Sequence, residues 1–164
     1  MEDLVKFYRG RRVFVTGHTG FKGSWLCMAL LHLGAEVTGY ALEPPTDPAL
    51  FTLLELDRRI RSIRGDVRDR ASLCWAMEEA APEIVFHLAA QPIVLEGYRD
   101  PAGTYEINVM GTVNLMEAVR LCGTVRSLVN VTTDKVYRND ERAFGYTEED
   151  VLDGYDPYSG SKSC

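Results

Sequence analysis

A short apolar segment runs directly into a glycine-spaced loop near the start of the chain. The segment covers residues 12–16, and the loop has the spacing G-x-x-G-x-x-G. The first glycine allows a tight turn from strand to helix, the second lets backbone approach a pyrophosphate, and the third lets the helix pack on the strand. We therefore expect a dinucleotide-binding βα unit, with phosphates at the positive end of the first helix. The predicted phosphate loop comprises Gly17, His18, Thr19, Gly20, Phe21, Lys22 and Gly23.

Short apolar segments alternate with helix-forming segments along the whole chain. Strands are predicted at 12–16, 36–40, 60–64, 84–88 and 125–132, and helices at 24–33, 49–57, 69–80 and 101–121. The segment 84–88 is apolar almost throughout, which is typical of a parallel strand covered on both faces. This order predicts the α/β class: a Rossmann-type, doubly wound parallel sheet in three αβα layers, with about five strands before the chain ends.

Acidic residues after the second and third strands are candidates for cofactor recognition. An acid about 20 residues beyond the glycine loop normally binds the ribose 2′-hydroxyl, and Glu43 is the candidate here. No Arg or Lys occurs at residues 39–52 to hold a 2′-phosphate, which favours NAD over NADP. Asp66 is a candidate acceptor for the adenine amino group, with Val67 against the ring. The alternative for these two residues is a capped turn before the next helix.

Tyr158 and Lys162 have the spacing Y-x-x-x-K, which places both on one face of a helix. A lysine ammonium beside a phenol favours the phenolate, so Tyr158 is predicted to act as a base near neutral pH. Thr133 follows the fifth strand, where its hydroxyl is positioned to bind a substrate oxygen. Asp134 and Lys135 come next, at the edge where open α/β sheets bind ligands. The alternative for this segment is a solvated turn.

Several longer motifs resemble the extended short-chain dehydrogenase/reductases and, within them, the CDP-glucose 4,6-dehydratases. The shared fold motifs are H-L-A-A-Q at 87–91, N-V-M-G-T at 108–112 and the Tyr158/Lys162 pair. The more specific motifs are V-F-V-T-G-H-T-G-F-K-G-S-W-L at 13–26, V-T-G-Y-A-L-E-P-P-T at 37–46, A-A-Q-P at 89–92, T-D-K at 133–135 and G-Y-D-P-Y-S at 154–159. Together they extend over nearly the whole chain.

The resemblance implies an NAD-dependent lyase that converts CDP-glucose to CDP-4-keto-6-deoxyglucose and water. In that family the C4 hydroxyl is oxidised, water is eliminated across C5 and C6, and the hydride returns to C6. Tyr158 would remove the C4 hydroxyl proton, Thr133 would orient the C4 oxygen, and Asp134 would protonate the leaving hydroxyl. Lys135 would act as the C5 base if neutral, or would stabilise the enolate. Further cofactor contacts are implied for Leu88, Ala89, Ala90, Gln91, Asn108, Thr132, Tyr158 and Lys162.

The family also implies a homodimer and a role in bacterial surface polysaccharide (O-antigen) biosynthesis. Its members are about twice as long, so we expect residues 1–164 to be an incomplete NAD-binding domain. The nucleotide-sugar domain would be absent, and the chain alone would be inactive. The sequence departs from the family at Leu95, where a basic residue is expected nearby, and at Gly97, where a serine is expected.

Composition excludes several other classes of protein. With 18 basic and 24 acidic residues the net charge is −6, which argues against a nucleic-acid partner. The cysteines at 27, 74, 122 and 164 form no C-x-x-C pair, so no metal site is predicted. The first three are predicted to be buried thiols of a cytoplasmic protein. No apolar run approaches the roughly 18–20 residues that span a bilayer, so no membrane partner is expected.

Two other functions share part of this pattern. A nucleotide-sugar 4-epimerase would also use NAD, Tyr158 and Lys162, but it would not need the dehydration acid Asp134 or Lys135. The other possibility is a catalytically inert NAD-binding fragment.

Overall fold

The computed structural model describes residues 2–164 and divides them into two compact units. The first unit holds the residues up to 89 together with 114–131, and the second holds 90–113 together with 132–164. In the first unit lie α1 (Glu2–Tyr8), β1 (Arg12–Thr16), α2 (Phe21–His32), β2 (Glu36–Ala41), α3 (Leu50–Leu53), a 3₁₀ turn (Leu56–Arg58), β3 (Arg61–Arg64), α4 (Arg70–Ala80), β4 (Ile84–His87), most of α7 (Gly111–Leu121) and β5 (Ser127–Asn130). In the second lie α5 (Val94–Arg99), α6 (Pro101–Tyr105), a π-helical segment (Glu106–Met110), a 3₁₀ turn (Asp134–Val136) and α8 (Pro157–Ser163).

The five strands form one parallel sheet in the order β3-β2-β1-β4-β5. This order confirms the predicted Rossmann-type α/β sheet, with β1 at its centre. Helices α2 and α4 pack on β1 and β2. The core between them consists of aliphatic and aromatic side chains, including Val13, Val15, Leu30, Val37 and Phe51. None of the helices in residues 2–164 combines the length and hydropathy that crossing a membrane requires.

The helix and strand ends follow local signals in most places. Gly34 ends α2 with a φ of +83°, as its position after the apolar stretch predicts. Asp69 and Asp100 cap α4 and α6 by accepting from the backbone N–H groups of Ser72 and Gly103, at 3.1 and 2.9 Å. These caps were predicted from the residue type and from the proline after Asp100.

Several predicted boundaries are wrong. Helix α2 starts at Phe21 rather than at 24, because the turn closes within the loop itself. The predicted helix at 49–57 is one turn of α-helix followed by a 3₁₀ turn. Strand β5 covers only Ser127–Asn130, since its pairing with β4 ends where β4 ends, at His87.

The segment 94–99 was not predicted as a helix. It contains a central glycine and has no strong cap, so its intrinsic helix propensity is weak. It forms α5 because it packs against α6 and α8. The predicted helix at 101–121 is helical throughout, but it contains the π-helical segment, which apolar periodicity does not reveal.

The burial of the cysteines agrees only in part with the prediction. Cys27 is buried, and burial raises its pKa to about 12, so it is an inert core thiol. Cys74 and Cys122 are only half-buried, because Cys74 lies on the surface of α4 and Cys122 directly follows α7. Residues 2–164 contain no group of three or more potential metal ligands.

Candidate active site

The glycine loop of the first unit has the geometry of a phosphate cradle. Gly17 has a φ of +72°, and a Cβ added there would lie 2.7 Å from the backbone nitrogen of Ala89. The loop is closed by hydrogen bonds from the Gly17 N–H to the Tyr40 carbonyl (2.9 Å) and from the Gly20 N–H to the Gly17 carbonyl (3.1 Å). Helix α2 follows at Phe21 without a side-chain cap, so its first N–H groups remain available to an anion.

His18 is the loop residue with the most specific surroundings. Its ring is fully buried, packs edge-on against Phe51 at 5.4 Å, and fills the space above Gly39. Its Nε2 lies 2.7 Å from the Ser62 hydroxyl, whereas its Nδ1 has no hydrogen-bond partner in residues 2–164. Burial and the nearby charge of Arg64 lower the pKa of His18 to about 4. The imidazole is therefore neutral at physiological pH.

The end of β2 carries an acid–base pair that the sequence did not reveal. Glu43 forms an ion pair with Arg64 at 2.9 Å, and Arg64 also donates to the Ser62 hydroxyl at 2.7 Å. Residues 39–52 contain no Arg or Lys, and the basic partner of Glu43 comes from a different strand. Arg64 belongs to β3, which pairs with β2 so that Ala41 lies opposite Arg64. The parallel pairing of these strands was the signal that could have located it.

Asp66 forms a turn at the end of β3. Its carboxylate accepts from the backbone N–H of Arg68 at 2.9 Å and pairs with the Arg68 guanidinium at 2.6 Å. Hydrogen bonds from Arg68 hold the pKa of Asp66 below its ordinary value, although partial burial opposes the shift. Val67 is buried next to it. The turn exists as the alternative interpretation predicted, and the adenine contact stays a prediction.

In the second unit, Tyr158 and Lys162 lie one turn apart on α8. Burial lowers the pKa of Lys162. Asp156 caps this helix, accepting from the Ser159 N–H at 3.0 Å and from the Ser159 hydroxyl at 2.5 Å. A Cβ at Gly97 would lie 3.1 Å from the Tyr158 nitrogen, so the glycine permits close packing of α5 on α8.

The buried side chain of Asn108 joins the backbone of the half-buried Gln91 to α8. The Asn108 side chain accepts from the Gln91 N–H at 2.8 Å and donates to the Gln91 carbonyl at 3.1 Å and to the Ser161 hydroxyl at 2.8 Å. The Gln91 amide donates to Thr104 at 2.9 Å. Ser161 therefore holds the helix between Tyr158 and Lys162, a role that sequence reasoning missed. Both amides have a supporting role here, and their contact with a cofactor stays a prediction.

Asp134 and Lys135 lie in a 3₁₀ turn within the same unit. The Thr133 hydroxyl donates to Asp134 Oδ1 at 3.0 Å and accepts from the Lys135 N–H at 3.4 Å. Beside this turn is a cavity of about 220 Å³, lined by Asp134, Lys135, Tyr137, Tyr146, Tyr155 and Asp156, among others. Acidic, basic and phenolic groups thus meet in a space of monosaccharide size.

Each of the two units contains part of the predicted site residues. The first holds the phosphate loop, Glu43, Asp66, Val67, Leu88 and Ala89. The second holds Ala90, Gln91, Asn108, Thr132, Thr133, Asp134, Lys135, Tyr158 and Lys162. A larger cavity of about 630 Å³ is lined by residues from the amino-terminal ends of β1 and β2, and none of the predicted site residues lines it.

Known proteins resemble this chain over nearly its full length. A family model described as GDP-mannose 4,6 dehydratase matches residues 14–164. A protein of Salmonella typhimurium named CDP-glucose 4,6-dehydratase is 52% identical over 158 residues, which are 96% of this chain and 44% of that protein. A UDP-glucose 4-epimerase of Mycolicibacterium smegmatis is 33% identical over 151 residues, covering 92% of this chain and 48% of its own length.

Among solved structures, the UDP-glucose 4-epimerase of Thermus thermophilus in complex with NAD superposes with a TM-score of 0.82 and 31% identity. The match covers 93% of this chain and 47% of that one. The chain therefore spans less than half the length of each of these three relatives.

Proposed function

Because the chain belongs to the GDP-mannose 4,6-dehydratase family, we propose that it is the NAD-binding, amino-terminal part of a nucleotide-sugar 4,6-dehydratase that acts on CDP-glucose. The 52% identity to the Salmonella CDP-glucose 4,6-dehydratase supports this substrate. The observation that carries the proposal is the shared cavity of Asp134 and Lys135, next to the cap of the helix that bears Tyr158 and Lys162. An acid beside the catalytic helix is what elimination of a hydroxyl requires.

The first unit fits a dinucleotide. A side chain at position 17 would collide with backbone, so the loop admits only a glycine and leaves its surface open to phosphate oxygens. Glu43, at the end of β2, would accept from a ribose 2′-hydroxyl. NAD, when bound, supplies the hydride acceptor for C4 and the hydride donor for C6.

The second unit supplies the proton transfers. Tyr158 removes the proton of the C4 hydroxyl, with the Lys162 ammonium stabilising the phenolate. The hydroxyl of Thr133 orients the C4 oxygen. Lys135, in its neutral form, accepts the C5 proton, and Asp134 gives its proton to the C6 hydroxyl as it leaves, so that the hydroxyl departs as water. The acid must be protonated for this step, and Asp134 lines the cavity together with Lys135.

A nucleotide-sugar 4-epimerase is the second candidate, and the resemblance to NAD-bound UDP-glucose 4-epimerase favours it. Epimerisation returns the hydride to C4 and loses no hydroxyl, so Asp134 and Lys135 would have no task. The pocket that they share therefore favours dehydration.

The remaining properties of the whole protein follow from the same proposal. The nucleotide-sugar domain and the rest of the sheet would lie in residues outside this chain. The enzyme would be a cytoplasmic homodimer that supplies precursors for O-antigen sugars, and residues 1–164 alone would have no turnover.

The test is incubation of a full-length protein containing this chain with CDP-glucose in deuterated water. We expect a 4-keto-6-deoxy product, recognised by its near-ultraviolet absorbance in alkali, with deuterium at C5. A 4-epimer without loss of oxygen would replace the dehydratase with the epimerase. A Tyr158→Phe variant that still binds NAD but lacks turnover would support the assignment of the base.

A further inference from the structure

The side-chain amide of Asn114, near the start of α7, bonds to the turn that follows β3. Its Nδ2 donates to the backbone carbonyl of Val67 at 3.0 Å and to that of Arg68 at 3.2 Å. Asn114 is half-buried, and its two partners lie 47 and 46 positions earlier in the chain. One side chain thus fixes two consecutive peptide groups of a distant segment.

The peptide between Val67 and Arg68 links Asn114 to the carboxylate of Asp66. The carbonyl of this peptide accepts from Asn114, and its N–H donates to Asp66 Oδ1 at 2.9 Å. Because a peptide group is planar and rigid, the bond at one end sets the direction of the bond at the other. The orientation of the Asp66 carboxylate therefore depends on Asn114 through a single rigid group.

The peptide on the other side of Val67 is fixed as well. The hydroxyl of the fully buried Tyr40 donates to the Asp66 carbonyl at 3.0 Å. The Arg68 guanidinium also pairs with the Asp66 carboxylate, but these side chains are 41% and 25% exposed, and an ion pair in contact with solvent adds little order. The anchored backbone, rather than the ion pair, therefore determines where the carboxylate lies.

A tie between a helix and a neighbouring segment also serves the fold alone. Glu117, one turn further along α7, makes such a tie, since its carboxylate pairs with Arg70 in the first turn of α4 at 3.6 Å. The contact of Asn114 is of another kind, because it is made to the peptide that holds the predicted acceptor for adenine. It also requires a donor, which the two N–H bonds of an asparagine amide supply.

We propose that Asn114 is a positioning residue for recognition of the adenine amino group, because it holds the Val67–Arg68 peptide and, through it, the Asp66 carboxylate. This inference rests on the NAD site of the proposed function and on the predicted role of Asp66 as the acceptor. Without the Asn114 amide the carboxylate would remain, but its direction would no longer be fixed. The adenine amino group would lose its acceptor, while the contacts to phosphate and ribose would be kept.

The test compares NAD with nicotinamide hypoxanthine dinucleotide, in which a carbonyl oxygen replaces the adenine amino group. Dissociation constants are measured by titration calorimetry with a full-length protein containing this chain. The parent protein should bind NAD about five- to tenfold more tightly than the analogue, as a hydrogen bond to a charged acceptor predicts. In Asn114→Leu this preference should fall to about twofold or less, through weaker binding of NAD.

Glu117→Gln is the matched control on the same helix. It weakens the tie between α7 and Arg70 but leaves the contact to the turn, so it should keep the parental preference for NAD. Equal losses of affinity for both dinucleotides in Asn114→Leu would mean that Asn114 only supports the fold, and the proposal would be overturned. Asn114→Ala, which favours the helix, replaces a leucine variant that does not fold, and a parental preference in it would count equally against the proposal.

A double-mutant cycle checks that Asn114 acts through Asp66. In an Asp66→Ala background, Asn114→Leu should cause no further loss of NAD affinity, because the group it positions is gone. The same fold-loss in both backgrounds would overturn the proposal.

The proposed function and this inference fail in different measurements. A parent protein with equal affinity for the two dinucleotides would remove the adenine contact and, with it, the role of Asn114. A full-length protein that forms no 4-keto-6-deoxy product from CDP-glucose would refute the dehydration, while the ratio of the two dissociation constants would still decide whether Asn114 positions Asp66.

Discussion

The hydroxyl of Thr16 lies 2.6 Å from Nδ1 of His87, between the carboxyl ends of the adjacent strands β1 and β4. The same oxygen accepts from the backbone N–H groups of Leu88 and Ala89, each at 3.2 Å. Since the oxygen accepts twice, its own proton is directed to Nδ1, which assigns the imidazole proton to Nε2. Thr16 therefore fixes the point where the chain leaves β4 and passes beneath Gly17.

Thr16→Val tests this junction. The valine keeps the volume of the side chain but removes, at a fully buried position, the hydroxyl that accepts from the Ala89 N–H and contacts His87 Nδ1. The Leu88 N–H keeps the Thr16 backbone carbonyl as an acceptor at 3.2 Å. We expect a loss of about 2–3 kcal/mol in the free energy of unfolding, measured by urea denaturation. Thr16→Ser keeps the hydroxyl and loses only a methyl group, at a cost of about 1 kcal/mol. A valine variant as stable as the serine variant would contradict the role of the hydroxyl.

Gly17→Ala and Gly10→Ala form a matched pair at positive φ. Gly10 has a φ of +69° and open space around it, whereas a Cβ at Gly17 would meet the Ala89 nitrogen at 2.7 Å. The backbone conformation alone should cost about 1–2 kcal/mol in Gly10→Ala. Gly17→Ala should reduce the free energy of unfolding by distinctly more than Gly10→Ala. It should also abolish NAD binding, because the loop must shift to make room for the Cβ. Thermal unfolding and NAD titration check both points, and equal losses of stability would show that the close approach is not limiting.

His18 predicts a dependence of stability on pH. Its pKa is about 4 in the folded chain, against an ordinary value of 6.5, so the unfolded state binds more protons between these values. The free energy of unfolding should therefore rise with pH from about 4 to 6.5, by about 3 kcal/mol from this residue. Carboxylates titrate over part of the same range. The measurement is therefore the slope of the free energy of unfolding against pH, compared between the parent protein and His18→Asn. The slope should be smaller for His18→Asn. Parallel curves would show that His18 is not buried in its neutral form.

Glu43→Gln tests the selection of the cofactor. Glu43 is predicted to bind the ribose 2′-hydroxyl, and its carboxylate forms an ion pair with Arg64 at 2.9 Å. With the carboxylate removed, the guanidinium is available to phosphate, and the affinity for NADP relative to NAD should rise about fivefold. Glu83→Gln, which breaks the 2.7 Å ion pair with Arg11 at the other end of the sheet, is the control. An unchanged ratio of dissociation constants in Glu43→Gln would exclude this mechanism.

Local signals in the sequence predicted the sheet and the loop. The strands are short apolar runs bounded by turn residues, and Gly17 and Gly34 occupy positions where positive φ is required. Asp69 and Asp100 precede helices at cap positions. In each case the interaction that determines the local structure is between residues that are close in sequence. Residue type and spacing are therefore sufficient to predict it.

Contacts between distant residues were not predictable in the same way. Arg64 reaches Glu43 only because β2 and β3 pair in parallel, which no local window shows. Helix α5 forms through packing on α6 and α8, against its own weak propensity. The support of α8 by Asn108 and Ser161 joins residues far apart in the chain. A single sequence contains these residues but not the register that brings them together.

The hydrogen bonds that close the glycine loop also bear on the kinetics of recognition. Beyond the two backbone bonds, the Ser24 hydroxyl donates to the carbonyls of His18 (3.1 Å) and Gly20 (2.8 Å), and the Thr19 hydroxyl donates to that of Leu42 (3.0 Å). The loop thus loses its conformational entropy when the chain folds rather than when a ligand arrives. A dinucleotide meets a rigid receptor, so its association rate should be governed by diffusion and desolvation rather than by closure of the loop.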